Sequence, residues 1–594
     1  MISSKKISLI SLALILVVLC FTVAAMLFPK GITAGHITGE VSYSDLHSVT
    51  YSAGDYYSDY TGSSPVKIAL AGDTATAEST NVSVNGNEIT VLGGGTYVLE
   101  GELKGNIIVN SADGAQVRLV MNGASIISED FSPLYIKQAA STVISLAPGT
   151  DNLLADGSVY NSEKQDDGKP SAALHSSDDL IINGDGSLTV TGNSMDGIKA
   201  NDTLKITGGT LKITAADDGI NANDYIALQT AFLEITAGGD AVRCENEEKD
   251  KGFIALTEAA FTVTSGGDGI SASSSLYADS SAAVITSGGG SETVTLISET
   301  MGGGMNRGGF RNQQTMDTPS AKGIKASDIS ITGGAYTIDS SDDAIHSDGS
   351  LFVSGGSFDI STGDDGVHAE KNVTLNPDTL NITKCREGIE GARIVIDGGD
   401  ISVVSSDDGI NAVGESSAGG GMPPMMGMHK ETITEEDMYL IINGGNIYIQ
   451  TGGDGVDSNA AAVLNGGTVC VYGPENSGNS SLDFEYGFVI NGGSLLAAGS
   501  SGMAELPHDT SEQNSIVFYL DKNYDAGSTI SVTDSEGNEI MSGKSAKQFS
   551  WVCVSNSALS KSSSYSLNIN GTQVSSVEVT DTVTSSGSTG RRMW

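Results

Sequence analysis

The residues best placed to do chemistry are a recurring series of carboxylates. Asp196, Asp218, Asp240, Asp268, Asp343, Asp365, Glu387, Asp408 and Asp454 each precede a glycine or alanine followed by a β-branched apolar residue; Lys322 alone breaks the series. Asp217, Asp342, Asp364 and Asp407 double four of these acids. Carboxylates stacked about 5 Å apart in a partly dehydrated corner raise one another's pKa, and a divalent cation removes the conflict. Ca2+ accepts about six to eight oxygen ligands in flexible geometry, whereas Mg2+ demands a stricter octahedron. The aspartates of this series and their doubled neighbours are therefore the candidate Ca2+ ligands. The competing reading is turn chemistry, in which aspartate caps its own backbone and glycine takes the bend. It accounts for single Asp-Gly pairs, but less well for the doubled acids or for Asp202, Asp224, Asp348 and Glu370 further on.

Three residues after each acid runs a second column: Lys199, Asn221, Arg243, Ser271, Lys325, His346, His368, Glu390, Asn411 and Asp457. Every member can hydrogen-bond a hydroxyl or a carboxylate. Lys199, Arg243, Lys325, His346 and His368 are the candidate carbohydrate-binding residues, because an extended acidic polymer lying across the column would meet donors at regular intervals. An ordinary solvated sheet face is the alternative. The chain has 30 Lys plus Arg against 73 Asp plus Glu, a formal charge of −43, which would repel a nucleic-acid backbone.

Positioning both columns requires a repeated element. GIKANDTLKITGGTLKITAADD runs from Gly197 and is followed by GINAND from Gly219, a step of 22. Later marks fall at Ala241, Gly269, Gly323, Ala344, Gly366, Gly388, Gly409 and Gly455. The residue after each mark is Ile or Val, and the residue two further on is always Ala, Ser, Gly or Cys. Large apolar, variable, small is a period-2 strand with its first and third side chains inward. Two more short strands complete each repeat, and such coils bury their apolar face only by stacking. The expected fold is all-β: a right-handed three-sided parallel β-helix of about 22 residues per rung over 81–510. Leucine-rich repeats want leucines these repeats lack, and propeller blades want about twice the period.

The flanks differ. Lys5 and Lys6 precede an apolar run from Ile7 to Phe28, long enough to span a bilayer, so 1–30 is expected to be an export signal kept as a membrane anchor. Cleavage, or lipidation at Cys20, are the alternatives. Residues 31–80 are expected to form a flexible spacer. The long steps before Gly323 and Gly455 hold Gly/Met-rich insertions near 291–319 and 414–437. A C-terminal β cap is expected over 511–584, with a disordered tail at 585–594. Scattered cysteines exclude a zinc or disulfide framework, and Cys244 reads as a small buried thiol.

GTYVLEG from Gly95, LAPGTDN from Leu146, LIINGDGSLTVTGNSMDGIKAND from Leu180, the DDGI rungs and SSGMAELP from Ser500 carry a resemblance over roughly 81–575. The chain resembles the calcium-dependent carbohydrate-binding β-helix proteins whose fold is similar to that of polysaccharide lyases. The resemblance implies a surface-attached module for pectic or cellulose-like polymers with no established catalysis, with Ca2+ at Asp218, Asp343, Asp365 and Asp408, and no metal at Lys322; a monomer is expected. A calcium-dependent lyase would need a base near the held uronate, for which Lys199 and Lys325 are placed by position. A structural stalk or adhesin is the third reading.

Overall fold

The computed structural model describes residues 39–42, 47–57, 59–166, 169–296, 320–414 and 438–587. The apolar run at 7–28, nearly all of both insertions and residues 588–594 lie outside the described residues. No described helix is long and apolar enough to cross a membrane.

Alternation of inward apolar and outward polar residues produces strands, and their recurrence stacks them into a parallel β-solenoid of about 15 turns. Through most of its length each strand pairs with the third strand after it. Asp196–Ala200 pairs with Ile220–Ala222, Thr203–Ile206 with Tyr225–Gln229, and Thr210–Ala215 with Phe232–Ala237, all in parallel. The register follows the repeat: Ile198, Ile220, Val242, Ile270, Ile324, Ile345, Val367, Ile389, Ile410 and Val456 form one continuous column. All ten are buried, as are Ala200, Ala222, Cys244 and Ser347 on the same face. Burial of one such Ile or Val per rung contributes about 1.5–3 kcal/mol. The column continues where the Asp-Gly signature does not, to Leu482 at one end and through Leu174, Leu134 and Ile107 to Ile89 at the other.

The register glycines serve a purpose other than the bend. Gly219 does not need a positive φ, but a Cβ there would lie 2.4 Å from Ile235 Cγ2 and 2.6 Å from the Ala241 carbonyl oxygen. Gly409 is enclosed the same way by Ile449 and Gly455. At these two positions space, not turn conformation, excludes a side chain. The opposite corner does use conformational freedom, since Gly209 has φ +91°.

The described part of 31–80 differs from a free spacer. Val66–Gly72 pairs in parallel with the strand Gly95–Lys104, so the sheet begins before residue 81. Residues 47–57 lie against the outer face, where Lys205 Nζ is 3.1 Å from Asp55 Oδ2 and Tyr56 donates to Gln229 Oε1 at 2.7 Å. Tyrosines with both an apolar ring and a hydroxyl donor let a polar-looking segment pack. At the far end Phe549–Asn556 pairs antiparallel with Ser494–Gly499, covering the last parallel strand. The cap has its own core around Ile530, Val532, Phe549, Val552 and Leu567. Its last strand, Val583–Ser586, runs into the expected tail because it pairs with Ser515–Tyr524.

Candidate functional site

Register stacking turns the corner acids into a ladder with a division of labour between their oxygens. In Asp196, Asp218, Asp240, Asp343, Asp365 and Asp408 one oxygen accepts the backbone N–H of the acid in the next rung, and Asp268 and Asp454 accept instead from Lys322 and Ser480. Asp218 Oδ1 accepts from Asp240 N at 2.9 Å, Asp240 Oδ1 from Asp268 N at 2.7 Å, Asp343 Oδ1 from Asp365 N at 3.1 Å, and Asp408 Oδ1 from Asp454 N at 2.6 Å. The corner aspartates thus tie rung to rung, a role that neither single-turn chemistry nor metal binding describes. Their second oxygens face the outer column. Of the doubling acids, Asp217 is exposed, Asp342 and Asp364 are half-buried and Asp407 is buried.

Because the outer column lies three residues after the acids on the same strand edge, the two columns touch. Lys199 Nζ is 3.4 Å from Asp196 Oδ2. Arg243 reaches Asp218 Oδ2 at 3.4 Å and Asp240 Oδ2 at 3.7 Å, and also pairs with Glu245. His346 Nδ1 is 2.7 Å from Asp343 Oδ2, and His368 Nδ1 is 3.4 Å from Asp365 Oδ2. Four of the five residues expected to face a polymer therefore also neutralise the corner. His346 is buried. Lys325 stands apart, in an open cleft of about 790 Å³ lined also by Asp218, Asp240, Asp268, Arg243 and Ser271. Burial and the nearby Asp268 raise Asp240 there to about 7, and burial raises Asp196 to about 6 against the pull of Lys199.

Around Lys322 the corner contains its own cations. The Lys322 ammonium lies 2.8 Å from Asp342 Oδ1 and 2.7 Å from Asp343 Oδ2. Arg386 contacts Asp364 at 2.6 Å, Asp365 at 3.4 Å and Glu387 at 2.8 Å. Burial alone would raise Asp343, but His346 and Lys322 hold it well below the usual carboxylate range. Burial would lower His346, yet its bonds to Asp343 and Asp348 raise it to about 9.

Further along, Asp408, Asp454 and Asp457 bring one carboxylate oxygen each within 4.8 Å of one another. Among the described residues no lysine, arginine or histidine pairs with any of the three. Burial, then repulsion from Asp454 and Asp483, raises Asp457 to about 8; burial and Asp483 raise Asp454 to about 7; burial and Asp407 raise Asp408 well above its ordinary value. Converging oxygens with no side-chain cation fit Ca2+. Asp457 was visible in the outer column but was not among the expected ligands, and Arg386, two residues before the mark Gly388, was not singled out as a partner of the acids.

A family profile described as "Carbohydrate-binding domain-containing protein" matches residues 85–366 and 349–426. A carbohydrate-binding domain-containing protein of Acetivibrio thermocellus is 36% identical over 157 residues, 26% of this chain and 55% of the relative. The chain thus spans about half the length of that relative. Among solved structures, the polysaccharide lyase-like protein from C. thermocellum, as its gadolinium derivative, is similar at 32% identity and a TM-score of 0.36, over 38% of this chain and 92% of that one. The matched spans together run from 85 to 426, more than half of the 594 residues, and the chain belongs to the carbohydrate-binding domain-containing family.

Proposed function

We propose that the chain binds an acidic plant-cell-wall polysaccharide of the polygalacturonate kind at the cell surface, through Ca2+ and without cleaving it. The observation that carries this reading is the cleft in which Arg243 and Lys325 stand beside Asp218, Asp240 and Asp268. A uronate carboxylate can pair with the two cationic side chains while Ca2+ bridges it to the aspartates. The family assignment supports a carbohydrate ligand, and the Asp408, Asp454 and Asp457 corner supplies a second place for Ca2+. Ca2+ contributes charge neutralisation and bridging when bound; Arg243 and Lys325 supply direction and sign. Attachment through residues 1–30 completes the proposal.

The purified chain is incubated with polygalacturonate and with cellulose, in calcium and then in chelator, while retention and the absorbance of unsaturated products are followed. Retention on polygalacturonate that chelator abolishes and R243A/K325A weakens at least tenfold is the expected result. Rising absorbance makes the protein a lyase. Retention on cellulose alone removes the acidic ligand, and retention on neither polymer leaves the stalk reading.

A further inference from the structure

His346 and His368 occupy the same column position in successive rungs and are direct register partners. Parallel stacking at about 4.8 Å therefore brings two imidazoles together. Their ring centroids lie 4.8 Å apart in an edge-to-face arrangement. Asp343, His346 and His368 each offer one ligand atom within 4.8 Å of the others, and Asp365, His368 and Glu390 form an overlapping set. Measured pairs are 2.7 Å for His346 Nδ1 to Asp343 Oδ2, 3.9 Å for His368 Nδ1 to the same oxygen, and 3.9 Å for His368 Nδ1 to Glu390 Oε2. Ligands about 2.0–2.1 Å from a common ion lie about 3.3 Å apart in a tetrahedron, so these separations need little adjustment.

A separate contact orients the site. His346 Nε2 is 3.1 Å from Asp348 Oδ1, on the far side of the ring from Asp343. A carboxylate holding one imidazole nitrogen so that the other faces inward is the arrangement that steadies metal-bound histidines. Lys322 closes the cluster on one side through Asp342 and Asp343, and Arg386 holds Asp365 on the other.

We propose that Asp343, His346 and His368, flanked by Asp365 and Glu390, bind a first-row transition-metal cation of the Zn2+ class. Imidazole nitrogen suits Zn2+, Co2+ or Ni2+, whereas Ca2+ takes oxygen ligands. Two histidines and a carboxylate in one corner thus select a different ion from the all-carboxylate corner at Asp408, Asp454 and Asp457. Asp348 is a positioning residue. The inference rests on neither the calcium nor the polysaccharide reading.

The full chain, stripped with chelator and held in saturating Ca2+, is titrated with Zn2+ by calorimetry and with Co2+ by visible absorption. The expected result is one equivalent of Zn2+ bound despite the Ca2+, and a Co2+ band typical of nitrogen and oxygen ligands. H346Q and H368Q each weaken Zn2+ at least tenfold and remove the Co2+ band, D348N weakens it about 10-fold or more, and D457N leaves it unchanged. Circular dichroism checks that each variant is folded. Absence of Zn2+ uptake by the unaltered chain in saturating Ca2+ overturns the proposal, as does uptake that both histidine variants retain or that D457N removes.

Discussion

Near Lys322 the buried carboxylates of Asp343 and Asp365 lie beside a lysine, an arginine and two histidines, whereas at Asp408, Asp454 and Asp457 three carboxylates converge with no such partner among the described residues. Both stretches have the same backbone ladder, in which an aspartate oxygen accepts the N–H of the next rung. The acids thus tie rung to rung in both stretches, and their charge is a consequence that each stretch balances differently. One uses its own side chains; in the other no lysine, arginine or histidine among the described residues takes that place. A carboxylate column alone thus does not locate the metal, and the residue three positions on decides which class of cation the corner suits.

Removing the internal cation should break the comparison most severely. Lys322→Ala leaves Asp342 and Asp343 without their ammonium, and loss of one partner of a buried pair costs about 3–5 kcal/mol. Urea unfolding should show that loss, with hydrogen exchange rising first in 320–396. An unchanged midpoint would mean that Lys322 is not what balances this corner.

Calcium should act on the other stretch. At about 100 times its Kd a cation that binds only the folded state stabilises it by about 2.7 kcal/mol. Thermal unfolding in calcium and in chelator should differ accordingly for the unaltered chain and for H346Q, and by clearly less for D454N/D457N. A calcium response that D454N/D457N leaves undiminished would remove the ion from this corner.

The smallest effect is in the pH dependence in chelator. Asp454 and Asp457 are raised to about 7 and about 8 from 3.8, so the stability tied to their protonated forms is present below 3.8 and lost as pH rises through 7 to 8. His346 is raised to about 9 from 6.5, so its contribution is full below 6.5 and lost as pH rises through 9. Hydrogen exchange should therefore show 438–490 loosening between pH 5 and 8, while 340–370, where burial and Asp365 also raise Asp364 to about 7, shows a further loosening toward pH 9 that 438–490 lacks. Calcium should remove the change in 438–490 and leave the one toward pH 9 in 340–370, and absence of that later change would show that His346 does not set the stability of its corner.

Much of the coil was legible in the sequence because its signal is local and repeated. Ile220 and Ala222 at their fixed offset after Asp218 announce an inward strand, and 22 residues later Val242 and Cys244 repeat the announcement. The rungs at Ile89, Ile107, Leu134 and Leu174 were less legible, since they share the column without the Asp-Gly mark. The packing of residues 47–57 depends on Lys205 and Gln229, more than a hundred residues away, and no local pattern reports such a contact.

For the site, the sequence by itself determined which residues stand in the two columns and that stacking must crowd their charges, because register follows from the period. Only the tertiary structure decided that the columns touch, that Lys322 and Arg386 fall among the carboxylates, and that Gly219 is excluded from bearing a side chain by Ile235 and the next rung. Those outcomes depend on where side chains end rather than where they begin. An ion pair or a clash a few ångströms across is set by the packing of several rungs at once, which the order of residues along one rung does not contain.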